Sequence, residues 1–258
     1  MNQSELVMQG DWDERARSDA FHYICSERKD WDLESFFQSG EDDYNRLVAP
    51  ILTKLGFATD RKVMLEVGCG VGRVTRSFAR RFAKVMALDI SQEMLERGRE
   101  LQRNCDNIVW VQGNGPAFKS IPLDSVDFVF SYLVLQHFPT EVLVLQSIRE
   151  MLRVLKPGGI FLFQFNASRT SSMNWKGRLA WGIVDVLWIL RLNRLSRGTA
   201  SALGFDPKIV GKSWRGAAVS AANVVEVLTS AGVATFEVTG EGTPLAWCSG
   251  VKPFRGVC

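Results

Sequence analysis

Long runs of one charge are missing from this 258-residue sequence. Lysine and arginine total 31 against 28 acidic residues, a net charge of +3. The densest basic clusters, Arg80-Arg81 and Arg191 to Arg197, are no larger than solvated helix faces, so a nucleic-acid partner has no electrostatic footing. No Cys-x-x-Cys occurs. Cys25, Cys69, Cys105, Cys248 and Cys258 are odd in number and scattered, which speaks against a zinc site, any other metal centre or a disulfide framework. The opening "MNQSELVMQGDWDERARSD" lacks the apolar stretch of a leader peptide, and with the cysteine usage this points to a reducing, cytoplasmic setting. No apolar run reaches the ~20 residues of a bilayer span. The nearest, "LAWGIVDVLWILRLNRL" from Leu179 to Leu195, is interrupted by Asp185 and Arg191. It reads as a buried or capping helix. Trp181, Trp188 and the arginines leave an interfacial, membrane-associated helix over 179–195 as the alternative. Histidine is scarce too: His22 and His137 are the only two.

What is present is an ordinary globular balance, 46% hydrophobic and 23% charged, on a chain long enough for a substantial core. Residues 1–60 read as helix and loop. "DWDERARSDAFHYI" suits a helix capped by Asp11 or Asp13, Ser39-Gly40 reads as a break, and a second helix spans about Asp42 to Leu55 with Gly56 as its cap. From Val63 strands and helices alternate. "KVMLEVG", "KVMALDI", "NIVWVQG", "VDFVFS" and "IFLFQFN" are strands. "RVTRSFARRF", "SQEMLERGRELQRN" and "TEVLVLQSIREMLRVL" are helices, the last two capped by Ser91 and Thr140, and "KPGG" ends the third. Such alternation means a parallel sheet covered on both faces. After about Ala167 the rhythm breaks for some fifty residues. It resumes with the helix "SAANVVEVLTSAGV", ending at Gly232, and a strand pair "ATFEVTGEG" and "PLAWCSGVKP" at the sheet edge.

One strand runs straight into glycines: "LEVGCGVGRVT". Ligands in such sheets sit beyond the carboxyl ends of the strands, and glycine lets them approach the backbone. Gly68, Gly70 and Gly72 make G-x-G-x-G, with Arg73 where a dinucleotide fingerprint asks for its third glycine, so a nicotinamide oxidoreductase fits poorly. No Gly-Lys-Ser/Thr follows, which excludes a phosphate loop.

These residues resemble the first motif of the class I S-adenosylmethionine-dependent methyltransferases. "VMALDIS", "VWVQGNGPAF", "DSVDFVFSYLVLQHF" and "MLRVLKPGGIFLFQF" resemble the later motifs, in order, over some 105 residues. Within that class the sequence looks most like the small-molecule enzymes of the ubiquinone/menaquinone-biosynthesis type. The resemblance implies an α/β, Rossmann-like, doubly wound and mostly parallel seven-stranded sheet with an antiparallel edge strand. It also implies N-terminal helices and an inserted helical lid after strand 5. The expected organisation is a helical cap over 1–60, a cofactor-binding core over 61–166, a lid or acceptor segment over 167–216, and a C-terminal helix and edge strands over 217–258.

The expected cofactor is S-adenosyl-L-methionine. The resemblance places Gly68, Cys69, Gly70, Arg73, Gly115 and Tyr132 against it. Glu66 is expected at its amino-acid end, Asp89 on both ribose hydroxyls, since a carboxylate offers two acceptor oxygens, and Ile90 and Met94 beside adenine. Asn114 is expected at the adenine amino group, although many family members carry Asp there. His137, in the loop after the fourth strand, is the candidate base; ordering the loop or touching the cofactor is its alternative role. Tyr23, Trp31, Gln136, Trp175 and Trp214 are expected around a small acceptor, which the tryptophans suggest is apolar or aromatic. Arg169, Arg178 and Arg215 suit either an acidic acceptor or a solvated face. The competing functions are methylation of protein or nucleic acid and a non-catalytic cofactor-binding or membrane-associated protein. "SYLV", Ser131 to Val134, stands where nucleic-acid amino-group enzymes carry Asn/Asp-Pro-Pro-aromatic. The acceptor atom and the choice between monomer and homodimer stay open.

Overall fold

Each of the five apolar runs from Val63 to Phe165 becomes a strand, and together they build the sheet that positions everything else. A computed structural model of the chain describes residues 3–28, 30–168, 182–183, 186–187, 193–203 and 216–254. The strands are β1 (Val63–Val67), β2 (Lys84–Asp89), β3 (Ile108–Gln112), β4 (Val126–Ser131), β5 (Leu155–Phe165), β6 (Thr235–Thr239) and β7 (Ala246–Val251). Their order in the sheet is β3-β2-β1-β4-β5-β7-β6. The first five are parallel; β7 runs antiparallel to β5 and β6, so the terminal strand pair completes one edge. The order reverses direction between β1 and β4, and it is there that a crevice opens at the strands' carboxyl ends.

The helices are α1 (Gln3–Ile24), α2 (Leu33–Asp43), α3 (Ala49–Lys54), α4 (Thr75–Ala79), α5 (Gln92–Leu101), α6 (Glu141–Val154), α7 (Asn193–Ala202) and α8 (Ala221–Ser230). Both sheet faces are covered. Leu65, Val129, Phe161 and Phe163 pack with α6 and α8 on one side. Met64, Val85, Phe128 and Phe130 pack with Phe78 of α4 and Leu52 of α3 on the other. Phe128 and Phe130 are wholly buried and touch Phe78, with ring centroids 6.2 and 5.2 Å away.

The expected caps form. Ser91 accepts the amide of Met94 and Thr140 that of Leu143, while Gly56 and Gly232 end their helices at φ +62° and +77°. Three local expectations need correction. Ser39-Gly40 is no break: α2 runs through it, and Gly40 is buried. A Cβ at position 40 would lie 2.0 Å from the backbone oxygen of Arg73, so this glycine lets a helix touch the glycine turn. The irregularity comes later, as a π-type turn over Tyr44–Val48 in which the Ala49 amide reaches back to the Tyr44 carbonyl. Pro50, in the first turn of α3, has no N–H to give an α-ladder, and the wider turn accommodates that loss. Asp11 and Asp13 do not start a helix either. They lie inside α1, and Asp13 serves another element: its Oδ1 accepts from Ser91 Oγ (2.6 Å) and the Glu93 amide (3.3 Å) at the start of α5. Lys156 to Gly159, expected only as a helix stop, belong to β5. They bulge between the Val126–Leu155 and Phe128–Ile160 pairs and bond to Lys252.

Trp175, Trp181, Trp188 and Trp214, with Arg169, Arg178 and Arg215, lie outside the described residues, as does most of 179–195. Among the described residues no helix is long and apolar enough to cross a membrane.

Candidate active site

A cavity of about 300 Å3 opens where β1, β2 and β4 end. Its floor is the glycine turn after β1. Gly68, Gly70 and Gly72 have φ of +74°, +56° and +85°, backbone that L side chains rarely adopt. The amides of Gly68 and Cys69 both donate to the Leu88 carbonyl, tying the turn to β2. Gly70 faces the cavity, its amide donating to Asp89 Oδ2 at 2.8 Å. Asp89 Oδ1 accepts the Ser91 amide at 2.9 Å. Both carboxylate oxygens are therefore already held, and each keeps one further lone pair. Burial pushes the Asp89 carboxyl up to about 6, against the lowering effect of these two amides.

Glu66 stands behind the turn, 5% exposed, with Thr75 Oγ1 donating to its Oε2 at 2.5 Å. Burial pushes it up to about 8; the Thr75 hydroxyl and the Arg73 charge pull the other way. Arg73 is 4% exposed. It pairs through Nη2 with Asp43 at 2.7 Å and donates through Nη1 to Ser39 Oγ at 3.2 Å, while its buried Nε has no hydrogen-bond partner. Cys69 is a buried filler whose thiol is pushed well above its ordinary range by burial first, then by Asp89 and Glu66.

Ile90, Met94, Gly115, Tyr23, Tyr132, Gln136 and His137 also line the cavity, as expected from the sequence. Two expected residues do not. Asn114 is exposed and forms an isolated bridge with Ala117, while Gly113 and Gly115 on either side of it line the wall. Trp31 is a packing residue. Its Nε1 donates to the Cys25 carbonyl at 2.8 Å and its ring meets Phe36 edge-on.

Residues that the sequence did not single out also line the cavity. Met8 and Trp12 come from α1, Ile24 from its end, and Leu245 from the turn between β6 and β7. The Trp12 ring meets His137 edge-on, with centroids 5.2 Å apart. Trp12 stands alone among Gly10, Asp11, Asp13 and Glu14, and a lone tryptophan in a charged stretch was the available signal. Leu133, also lining the cavity, has φ +59°, an unusual backbone for a leucine that marks the loop as constrained.

Residues 65–163 match the family model described as "Methyltransferase domain". Over that stretch the chain is similar to methyltransferase domains. It is 41% identical over 113 residues to the biotin biosynthesis bifunctional protein of Cellvibrio japonicus, covering 43% of this chain and 21% of that protein. It is 30% identical over 134 residues to the ubiquinone biosynthesis O-methyltransferase of Vibrio cholerae, covering 52% of this chain and 53% of that one. The chain thus spans about half or less of the length of these curated relatives. Among solved structures, magnesium protoporphyrin IX methyltransferase from Synechocystis PCC 6803 matches at TM-score 0.59 and 16% identity, over 97% of this chain and all of that one. The N-methyltransferase NodS of Bradyrhizobium japonicum matches at TM-score 0.57 and 15% identity, over 96% and 99%. At these identities the likeness is one of fold alone, a seven-stranded Rossmann-like sheet with flanking helices.

Proposed function

We propose that this protein is an S-adenosylmethionine-dependent methyltransferase acting on a small, largely apolar or aromatic acceptor. The observation that supports this best is the pairing of Asp89 with the Gly70 amide at the cavity floor. It leaves a carboxylate at the wall of a crevice where Gly68 and Gly70 keep the backbone bare. Asp89 would hold the ribose hydroxyls, Ile90 and Met94 the adenine, and Glu66 the ammonium. Arg73, with a buried and unpartnered Nε, suits the carboxylate. When bound, the cofactor supplies an electrophilic methyl group on a sulfonium. The chain's own part is to hold the acceptor in line with that methyl and keep water out. Trp12, Tyr23 and Tyr132 provide the apolar wall for this, and His137 lines the same cavity as a group able to handle an acceptor proton. We assign 61–166 and 217–258 to the cofactor core, and 1–60 and 167–216 to the acceptor. The thiols of Cys25, Cys69, Cys105 and Cys248 are all free, in keeping with a cytoplasmic setting.

Isothermal titration with S-adenosylmethionine and its demethylated product should show micromolar binding, and a panel of aromatic and apolar acceptors should release the demethylated product. A folded protein that binds neither compound would end the proposal. Labelling of total protein or RNA in place of small acceptors would move it to macromolecules.

The two raised carboxyls add a pH test. Glu66 titrates near 8 in the fold against an unfolded value of 4.5, and Asp89 near 6 against 3.8. The folded, ligand-free chain therefore binds more protons than the unfolded one between about pH 4 and 8, and its stability falls as pH rises through that window. A cationic ligand favours the ionised carboxyls. The rise in melting temperature on adding S-adenosylmethionine should thus be larger at pH 8 than at pH 6. An equal or smaller rise at pH 8 would contradict the assignment of Glu66 to the ammonium.

A further inference from the structure

A line of side-chain amides runs from the middle of the sheet to His137. Gln164 is wholly buried on β5. Its Oε1 accepts the amide of Leu133 at 3.1 Å. Its Nε2 donates to the Pro244 carbonyl at 2.9 Å and to Gln136 Oε1 at 3.3 Å. Gln136 Nε2 lies 3.3 Å from His137 Nε2.

Amide oxygen and nitrogen are ordinarily interchangeable in such chains, and their assignment follows from the neighbours. Here the neighbours at the far end are backbone atoms with one role each. The Leu133 N–H can only donate, so the Gln164 atom facing it is the oxygen. The Pro244 carbonyl can only accept, so the atom facing it is the nitrogen. That nitrogen's other hydrogen points to Gln136, whose near atom must then be its oxygen. The Gln136 atom left to face His137 is an N–H donor. It requires a lone pair on His137 Nε2, and a neutral imidazole with a lone pair there carries its proton on Nδ1.

We infer that Gln164 is a positioning residue: through Gln136 it sets His137 as the Nδ1–H tautomer, with the Nε2 lone pair held by the Gln136 amide. The loop supports this from the other side. Leu133 keeps its left-handed backbone with its amide tied to Gln164, and the Trp12 ring meets the imidazole at a steep angle. Pro244 adjoins Leu245 of the cavity wall, so the relay also ties the turn between β6 and β7 to the histidine. For His137 to take a proton on Nε2, the Gln136 amide has to turn and break its bond to Gln164. The chain's resting state therefore favours a neutral histidine of fixed orientation. The inference rests on the proposed reaction only for the meaning of His137's place. Its test reads a ring nitrogen and needs no turnover, so the two fail separately.

The measurement is the histidine ring nitrogen spectrum of the full chain, labelled with 15N, at a pH where imidazole is neutral, with His22→Asn assigning the two rings. In the wild-type chain the unprotonated nitrogen should be Nε2. Gln136→Glu places an acceptor-only carboxylate against the ring and should move the proton to Nε2. Gln164→Met keeps the unbranched shape but neither donates nor fixes polarity, and should leave a mixture of tautomers. A wild-type spectrum with the proton on Nε2 overturns the inference, whether or not the variants fold. So does a folded Gln164→Met protein that keeps one Nδ1–H tautomer.

Discussion

Replacing Asp89 with asparagine should weaken binding of S-adenosylhomocysteine between about tenfold and a few hundredfold while leaving the protein folded. The carboxylate accepts two backbone amides, from Gly70 at 2.8 Å and Ser91 at 2.9 Å. An asparagine oxygen can keep one of them, but its NH2 then faces the other amide, donor against donor. Hydrogen bonds to a charged group are worth about 1.5–3 kcal/mol each, and 1.4 kcal/mol is a factor of ten in affinity. The acceptor proposed for the ribose is lost along with the tie to the glycine turn. Folding should suffer less, because the buried carboxyl is itself uncomfortable: burial raises it to about 6, so removing its charge relieves a cost at neutral pH. Titration calorimetry paired with thermal melting separates the two effects. Unchanged affinity would remove Asp89 from the site, and a collapsed melting temperature would recast it as a purely structural residue.

Gly40→Ala should destabilise the protein by about 3 kcal/mol, combining overpacking with damage to a buried ion pair, which is about 6–12 °C in melting temperature for a chain of this size. The sign is informative. In an isolated helix alanine is better than glycine by about 0.8–1.0 kcal/mol, so helix propensity alone predicts a more stable protein. The fold reverses this because the added Cβ would stand 2.0 Å from the Arg73 oxygen and 2.7 Å from its carbonyl carbon. Neither is a side-chain atom that can swing away. α2 would have to retreat, taking Ser39 and Asp43 from the Arg73 guanidinium they now hold. Cofactor affinity should fall with stability, since Arg73 borders the cavity. A Gly40→Ala protein that melts at or above the wild-type temperature would show that α2 and the glycine turn are not in this contact.

The contrast between these residues explains what could be read in advance. The strands were legible because a parallel strand buried on both faces has to be apolar almost throughout, as in "VDFVFS" and "IFLFQF". Caps such as Ser91 and Thr140 were legible because their partner amides lie three residues away. Gly40 was misread because its reason is a carbonyl 33 positions along the chain, and a glycine beside a serine looks locally like a break. Asp13 was misread likewise: an acid near a helix suggests that helix's own cap, yet its partners are Ser91 and Glu93. In the site, the glycine turn and Asp89 announced themselves by position after a strand. Trp12 did not: its lone place in a charged stretch sets it apart, but says nothing of a ring that will meet His137 edge-on. Asn114 shows the limit of carrying a position over by motif: it is exposed, while the glycines on either side of it line the cavity.

The way the chain leaves and re-enters the sheet has a consequence for how such a protein can diversify. The Val219 amide bonds to the Asn166 carbonyl at 2.8 Å, so the two ends of the intervening stretch are fastened side by side. A stretch with anchored ends can lengthen cheaply, each doubling costing only about 0.6 kcal/mol of closure entropy. The sheet is in this sense a fixed frame with an interruption of adjustable length. Length can therefore vary between 167 and 216 while the strands on either side keep their pairing.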